Sequence, residues 1–387
     1  MKHTLYVSCI LLCVVIFQSC LKKRHKQDSG SGQTITIPFD PNRFSSLNAF
    51  VSKITVVPLE TNDDCLIGQS IASVKLHQDL IYINSHRRQL LVFDLNGNFI
   101  RNIGSVGQGS GEFREMRDFI FTNDGNIEIL DSKKIETYTL DGKHIGTKKY
   151  NLLGKDLYCN PMYFCPSNSN EYFFWGGTLG LRDEKLREKS SLMYLINKNM
   201  QVERGYFSTR YGDGGIISPF KYYQDYVLVT PSAFDYNIYQ IDGNDSVSIR
   251  YSFDFGKYAF DINKDIDRKT IAYENYIREI SDYEETDRFL YSSFVYQNLI
   301  YNLLYSKTTG EKHIHALKPE LNEKEFRLLP VYASYEDQLV SVADIITIKK
   351  DLEERVSKEN IKKWGLEDFH KLDDEDNPVL IFYTVSL

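Results

Sequence analysis

The residues able to do chemistry in this chain fall into a few short patterns, and each stops short of a complete site. His313-Ile314-His315 puts two imidazoles on one face of a strand, a spacing that can ligate zinc. No third ligand is nearby, and His77, His86, His144 and His370 sit in unrelated contexts, so the pair is read as core or surface histidines. Asp261-Ile262-Asn263-Lys264-Asp265-Ile266-Asp267 opens like a calcium loop, but Ile266 stands where the sharp-turn glycine belongs and Ala272 where the bidentate glutamate belongs. The better reading is the approach to a helix, with Asp265 or Asp267 near its N-cap. Gly104-Ser105-Val106-Gly107-Gln108-Gly109-Ser110-Gly111 could pass for a phosphate cradle, yet it has no Gly-Lys-Ser/Thr ending and runs into a strand. Asp373-Asp374-Glu375-Asp376 precedes Asn377-Pro378 and reads as a solvated turn. No Ser-His-Asp or Cys-His signature is present. No catalytic residue, metal site or cofactor is therefore assigned.

The elements that would have to position a site are clearer. Leu90 to Ile100 is echoed by Lys134 to Ile145: an alternating strand, an Asn-Gly or Asp-Gly turn, then a second strand. Such turns need φ > 0, which Asn, Asp and Gly supply most cheaply. A hairpin returning every roughly 40–50 residues marks a propeller blade. Glycines 97, 142, 243 and 310, with Asn199 in place of a missing one, continue the series. Tyr172–Trp175 pairs with Met193–Ile196, Tyr226–Val229 with Asn237–Ile241, and Arg288–Tyr296 with Leu299–Ser306.

Two stretches break the period-two pattern. Ile266, Tyr273, Tyr276, Ile277 and Ile280 fall at helical intervals, predicting an insertion over about 260–283. A second helical insertion is expected over about 343–372, before the chain returns to strand at Val379–Val385. Five hairpins are countable and the length fits six blades, so the sixth must be assembled from both ends. Ile54–Leu59 is assigned as the outer strand of that last blade beside Val379–Val385, with Pro58 at an edge where no ladder donor is needed. The fold class is thus all-β, a six-bladed β-propeller with two helical insertions on one face.

That face gathers the blade-to-blade loops and the turns between second and third strands. It is expected to carry any ligand site, through Arg87, Arg88, Trp175, Arg182, Tyr211, Phe234 and Tyr236. Aromatic rings and guanidinium forks there would suit a sugar, a peptide or an anion. The alternative for the aromatics is packing beneath the helices.

Gly104 to Phe113, followed by Asp118-Phe119-Ile120, Asp124 to Asp131 and the Asp141-Gly142 turn, resembles an NHL repeat. From Val57-Pro58-Leu59-Glu60-Thr61 to Asn377-Pro378-Val379-Leu380 the chain resembles uncharacterised six-bladed propeller lipoproteins that carry such repeats. The resemblance implies the fold and little about activity, since propellers host lyases, lactonases, sensors and adaptors.

Lys2, an apolar run from Leu5 to Phe17, and Gln18-Ser19 before Cys20 resemble a bacterial lipoprotein signal, with Phe17 a departure from the usual leucine. The alternative is an ordinary secretory signal with an incidental Cys20. The expected organisation is a signal peptide over 1–19, a tether over 20–33 lipidated at Cys20, and the propeller over 34–387. The basic stub Lys22-Lys23-Arg24-His25-Lys26 lacks the acidic residues of surface-exported lipoproteins, which points to a periplasm-facing outer-membrane location. With 46 Lys+Arg against 53 Asp+Glu, net charge −7, nucleic acid is excluded as a partner. Cys65 reads as a small buried hydrophobe, and a Cys159–Cys165 bridge is possible in an oxidising compartment. The function expected is a non-enzymatic module anchored in the membrane by its N-terminal lipid and binding a protein, peptide or glycan. The alternative is a metal-dependent lactonase- or lyase-like hydrolase, whose ligands would converge on the central channel from different blades and escape linear spacing.

Overall fold

The structure, a computed structural model, describes residues 32–68, 70–152, 160–168, 172–176, 190–208, 218–231, 233–261, 275–316 and 326–387. Six four-stranded antiparallel sheets form the blades. The first holds Ile71–His77, Leu80–Ser85, Gln89–Asp94 and Phe99–Ile103. The second holds Asp118–Phe121, Asn126–Leu130, Lys134–Thr139 and His144–Lys149. The third is Tyr163–Pro166, Tyr172–Trp175, Ser191–Ile196 and Val202–Ser208. The fourth is Phe220–Tyr223, Tyr226–Val229, Asn237–Ile241 and Val247–Asp254. The fifth is Ile280–Glu285, Phe289–Tyr296, Leu299–Ser306 and Lys312–Ala316. Innermost strands of neighbouring blades touch one another around the ring. Interior blade strands are packed on both sides, so all eight residues of Phe289–Tyr296 are buried and no alternation survives.

The sixth blade closes the ring as the orphan strand predicts. Val331–Tyr335, Gln338–Ala343 and Val379–Val385 are joined by Val51–Pro58, which pairs antiparallel with Val379–Val385 as the outer strand. Upstream the chain adds a second belt. Gln33–Thr36 runs parallel to Val247–Asp254 as a fifth strand on the fourth blade, so Gln33, placed at the end of the tether by sequence, is already part of a sheet. The segment then crosses the edge of the fifth blade: Phe39 packs against Phe294, Tyr296 and Tyr301, and the Ser45 amide bonds the Ile314 carbonyl.

The recurrent third turn is held by one device. Asp94, Asn197 and Asp242 each accept the amides two and four residues on through Oδ1, and Thr139 does the same for Lys143 through Oγ1. The positive-φ position three residues on is Gly97, Gly142, Met200 and Asp245 in the first four blades. This corrects the expected register: Met200 and Asp245, not Asn199 and Gly243, match the glycines. A Cβ on Gly97 would lie 2.1 Å from the Pro58 carbonyl oxygen, so glycine is required there by space as well as by φ.

The second insertion is helical as expected. Helix α1 (Ile345–Glu354) is capped by Asp344 and α2 (Lys358–Lys363) by Ser357. They connect the second and third strands of the last blade and pack Ile345, Ile348, Leu352 and Trp364 into the apolar cluster shared by the fifth and sixth blades. The first insertion needs correction at its end, because Ile280–Glu285 is the innermost strand of the fifth blade. Its residues 262–274 lie outside the described residues.

Candidate functional site

The innermost strands line a central cavity of about 310 Å³. Its walls come from Ser73 to His77 in the first blade, Ile120 and Phe121 in the second, Ser218 and Phe220 to Tyr222 in the fourth, Glu284 in the fifth, and Tyr332 to Ser334 in the sixth, mostly the later residues of these strands. The cavity therefore lies toward the face of the first and third turns, opposite the connections that carry α1 and α2. At that mouth the Tyr335 hydroxyl bonds Asp79 at 2.6 Å, joining the last blade to the first. The volume is at the lower end of small-ligand pockets, roughly 300–1,000 Å³.

Every charge on the wall is compensated within the protein. Lys75 donates to Asp118 Oδ1 at 2.9 Å and to the Phe119 carbonyl. Lys221 pairs with Glu284 and donates to the Tyr332 carbonyl at 2.9 Å, and the Ser334 hydroxyl donates to the other Glu284 oxygen at 3.0 Å. One neutral group is left open. Ser73 Oγ is buried with no hydrogen-bond partner, and Tyr222 and Tyr332 line the wall beside it. The His77 ring stacks on Phe121 at 4.1 Å and 13°, and burial pulls its imidazole below the usual value. Tyr222 keeps 47% of its surface accessible, yet desolvation pushes its hydroxyl well up. The two observations agree if that accessible surface faces the enclosed channel rather than bulk water.

Next to Glu284 along the same strand, Asp282 is buried and accepts a 2.9 Å bond from Ser293 at Oδ2, while its Oδ1 is unpartnered. Burial raises its carboxyl to about 6, against the attraction of Lys221. Among the described residues no three His, Cys, Asp or Glu side chains are grouped to hold a metal ion.

The expected binding residues do not come together. Arg87 lies in the turn between second and third strands of the first blade and pairs with Glu115 at 3.0 Å, while Arg88 lines a separate shallow hollow with His86 and Asn102. Trp175 is 2% exposed and packs edge-on to Phe220. Phe234 is buried against Phe260 at 4.9 Å. The Tyr236 hydroxyl donates to the Ile277 carbonyl at 2.6 Å and accepts the Phe260 amide at 2.8 Å. Phe234 and Tyr236 pack against the connection to the fifth blade, and Trp175 fills the gap between the third and fourth blades. Cys20, Cys159, Arg182 and Tyr211 lie outside the described residues. His315 is fully buried beside Phe50 and bonds the Ser45 carbonyl, and His313 pairs with Glu311. Cys65 is buried, its thiol bonding the Glu60 carbonyl, and Cys165 is buried too. Sequence reasoning placed only the alternative hydrolase's site in the central channel and named none of its lining residues, because the walls come from five strands scattered along the chain. The only available signal was that each lining residue precedes the first turn of its blade.

Among solved structures, the chain is similar to a candidate exported protein of Bacteroides fragilis NCTC 9343, at 17% identity and TM-score 0.72, covering 92% of this chain and 100% of that one. Looser likenesses include BamB from Moraxella catarrhalis, at 10% identity and TM-score 0.36 over 75% and 72% of the two chains. Another is the Neurospora crassa Pan2 WD40 domain, at 10% identity and TM-score 0.39 over 76% and 80%. Overlap at those two scores is too loose to bear on this chain. No curated protein matches it in sequence. The model described as "Domain of unknown function (DUF4934)" matches residues 34–384, and the chain belongs to that family.

Proposed function

We propose that this protein is a lipid-anchored, periplasm-facing binding module of the outer membrane that captures a small neutral polyhydroxylated ligand, such as the end of a glycan, in its central channel. The observation that carries the reading is the division of labour on the cavity wall. Lys75 and Lys221 are neutralised by Asp118 and Glu284, so a charged ligand gains no unpaired partner. The rings of Tyr222 and Tyr332, beside the stacked His77–Phe121 pair, and the unpartnered Ser73 hydroxyl line the space left for a ligand. A sugar ring matches that set, because its CH face stacks on aromatics while its hydroxyls bond to polar groups. The anchor rests on the Cys20 signal, and the fold likeness to a candidate exported protein is compatible with it.

The test is a glycan array followed by calorimetry with the tightest free mono- or disaccharide. Tyr222→Ala should weaken binding at least tenfold and leave the melting temperature nearly unchanged. Binding that survives Tyr222→Ala but fails in Arg87→Ala/Arg88→Ala would move the site to the opposite face. Chelator-sensitive turnover of lactones or esters would replace the binding reading with the hydrolase.

A further inference from the structure

We propose that a second hollow, between the glycine-rich loop and the second blade, is an oxyanion site that takes a phosphate or sulfate monoester. It encloses about 570 Å³, room for a small organic carrier as well as the anion. Three stretches bound it: Gly107 to Ser110 in the loop after the first blade, Asp131 to Lys134 at the turn between second and third strands of the second blade, and Thr147 and Lys149 on that blade's outer strand. The carboxylates here are already occupied. Glu136, fully buried, pairs with Lys134 at 2.6 Å through Oε1, while its Oε2 accepts from the Thr147 hydroxyl at 2.5 Å and lies 2.8 Å from His144 Nε2. Asp131 accepts the Arg114 and Ser132 amides at 3.1 and 2.6 Å. Glu112 accepts the Gly109 amide at 2.7 Å, and a Cβ on Gly107 would lie 2.0 Å from the same oxygen.

The cations are not occupied in this way. The Arg114 guanidinium donates to the neutral Gln108 side chain at 3.0 Å, and among the described residues Arg114, Lys133 and Lys149 form no ion pair. The Gln108 and Ser110 amides, on the same wall, have no acceptor among the described residues. On a chain of net charge −7, three uncompensated cations from three separate elements meet around one hollow, and a bound anion relieves their mutual repulsion. An oxyanion gains charge-assisted bonds from both ammonium groups and the planar fork of the guanidinium. The loop runs into a strand and carries no Gly-Lys-Ser/Thr ending, so no nucleotide cradle is built; the lysines come from the next blade instead. The channel wall is the reverse case, with Lys75 and Lys221 both neutralised, and the oxyanion site stands whether or not the channel holds a saccharide.

The experiment titrates the full-length protein by calorimetry with glycerol 3-phosphate, glycerol sulfate and glycerol, probes that carry no sugar ring. Both esters should bind and glycerol should not, with the phosphate ahead because it carries close to two negative charges at pH 7, and affinity should fall as salt rises. Arg114→Ala and the double change Lys133→Ala/Lys149→Ala should each weaken the phosphate ester at least tenfold with the melting temperature nearly unchanged, and Arg114→Lys should recover part of the loss. Lys358→Ala/Lys362→Ala removes the same charge from exposed positions on α2 and should leave the affinity as it is. A sulfate ester that outbinds the phosphate keeps the site and assigns it to sulfated ligands. No binding of either ester, glycerol binding as tightly as its esters, or an equal loss in the α2 variant overturns the site.

Discussion

Two neighbouring carboxylates on one strand have opposite surroundings. Glu285, at the seam of the fourth and fifth blades, has every lone pair occupied. Arg250 meets both oxygens at 2.8 and 2.9 Å, Lys307 adds a contact at 3.0 Å, and the Tyr251 and Tyr283 hydroxyls donate at 3.2 and 2.9 Å. Three residues earlier, Asp282 has Ser293 and one bare oxygen. The seam carboxylate is saturated and Asp282, two residues from the cavity-lining Glu284, is not. Saturated polar groups hold blades together; unsaturated ones beside a cavity are what a ligand can use. The same contrast separates Glu128, fixed between Lys148 and the Tyr172 hydroxyl across the second and third blades, from Tyr222.

The contrast breaks most severely at Glu285. Glu285→Ala leaves the half-buried Arg250 and Lys307 without their counter-charge and should cost about 2–3 kcal/mol, measured by denaturant unfolding. A loss under about 1 kcal/mol would mean that the seam is ornamental. Asp282 should respond in the other direction. Its folded carboxyl titrates at about 6, above the usual 3.8, so the unfolded chain ionises first. Stability should fall as pH rises from about 4 to 6 and level off above, by up to roughly 3 kcal/mol for a shift of this size. Asp282→Asn should flatten that profile, with melting temperatures matching wild type near pH 4 and exceeding it near pH 7.5. An unchanged profile would place Asp282 in contact with solvent. The smallest effect belongs to the opposite face: Arg87→Ala/Arg88→Ala should shift stability by no more than about 0.5 kcal/mol and leave saccharide affinity intact.

The sequence was most readable where local chemistry repeats. The Asp94 and Thr139 turns announce the blades because their side chains and glycines act within five residues. Val51–Pro58 could be matched to Val379–Val385 because an unpaired strand at each end of a ring has one place to go. Gln33–Thr36 was hidden inside a polar stretch whose Gly/Ser neighbours read as spacer. The expected first insertion ran past its end into Ile280–Glu285, because a blade strand buried on both faces carries no alternation to mark where it begins. Trp175, at the end of an apolar run before a long loop, looked available to a ligand, but it fills the gap between blades. The residues lining the central cavity were not legible because adjacency around a ring axis leaves no linear trace.

Closure by Val51–Pro58 also sets an order of events during folding. The strand that seals the sixth blade is made before any blade, and its partner Val379–Val385 is made last. The nascent chain must hold an unpaired apolar strand through the synthesis of some 320 intervening residues, and the closing loop is long enough to make docking slow. Until then the outer edge of the sixth sheet is open to other chains, so aggregation during biogenesis should track the time spent waiting for Val379–Val385 rather than the stability of the finished ring.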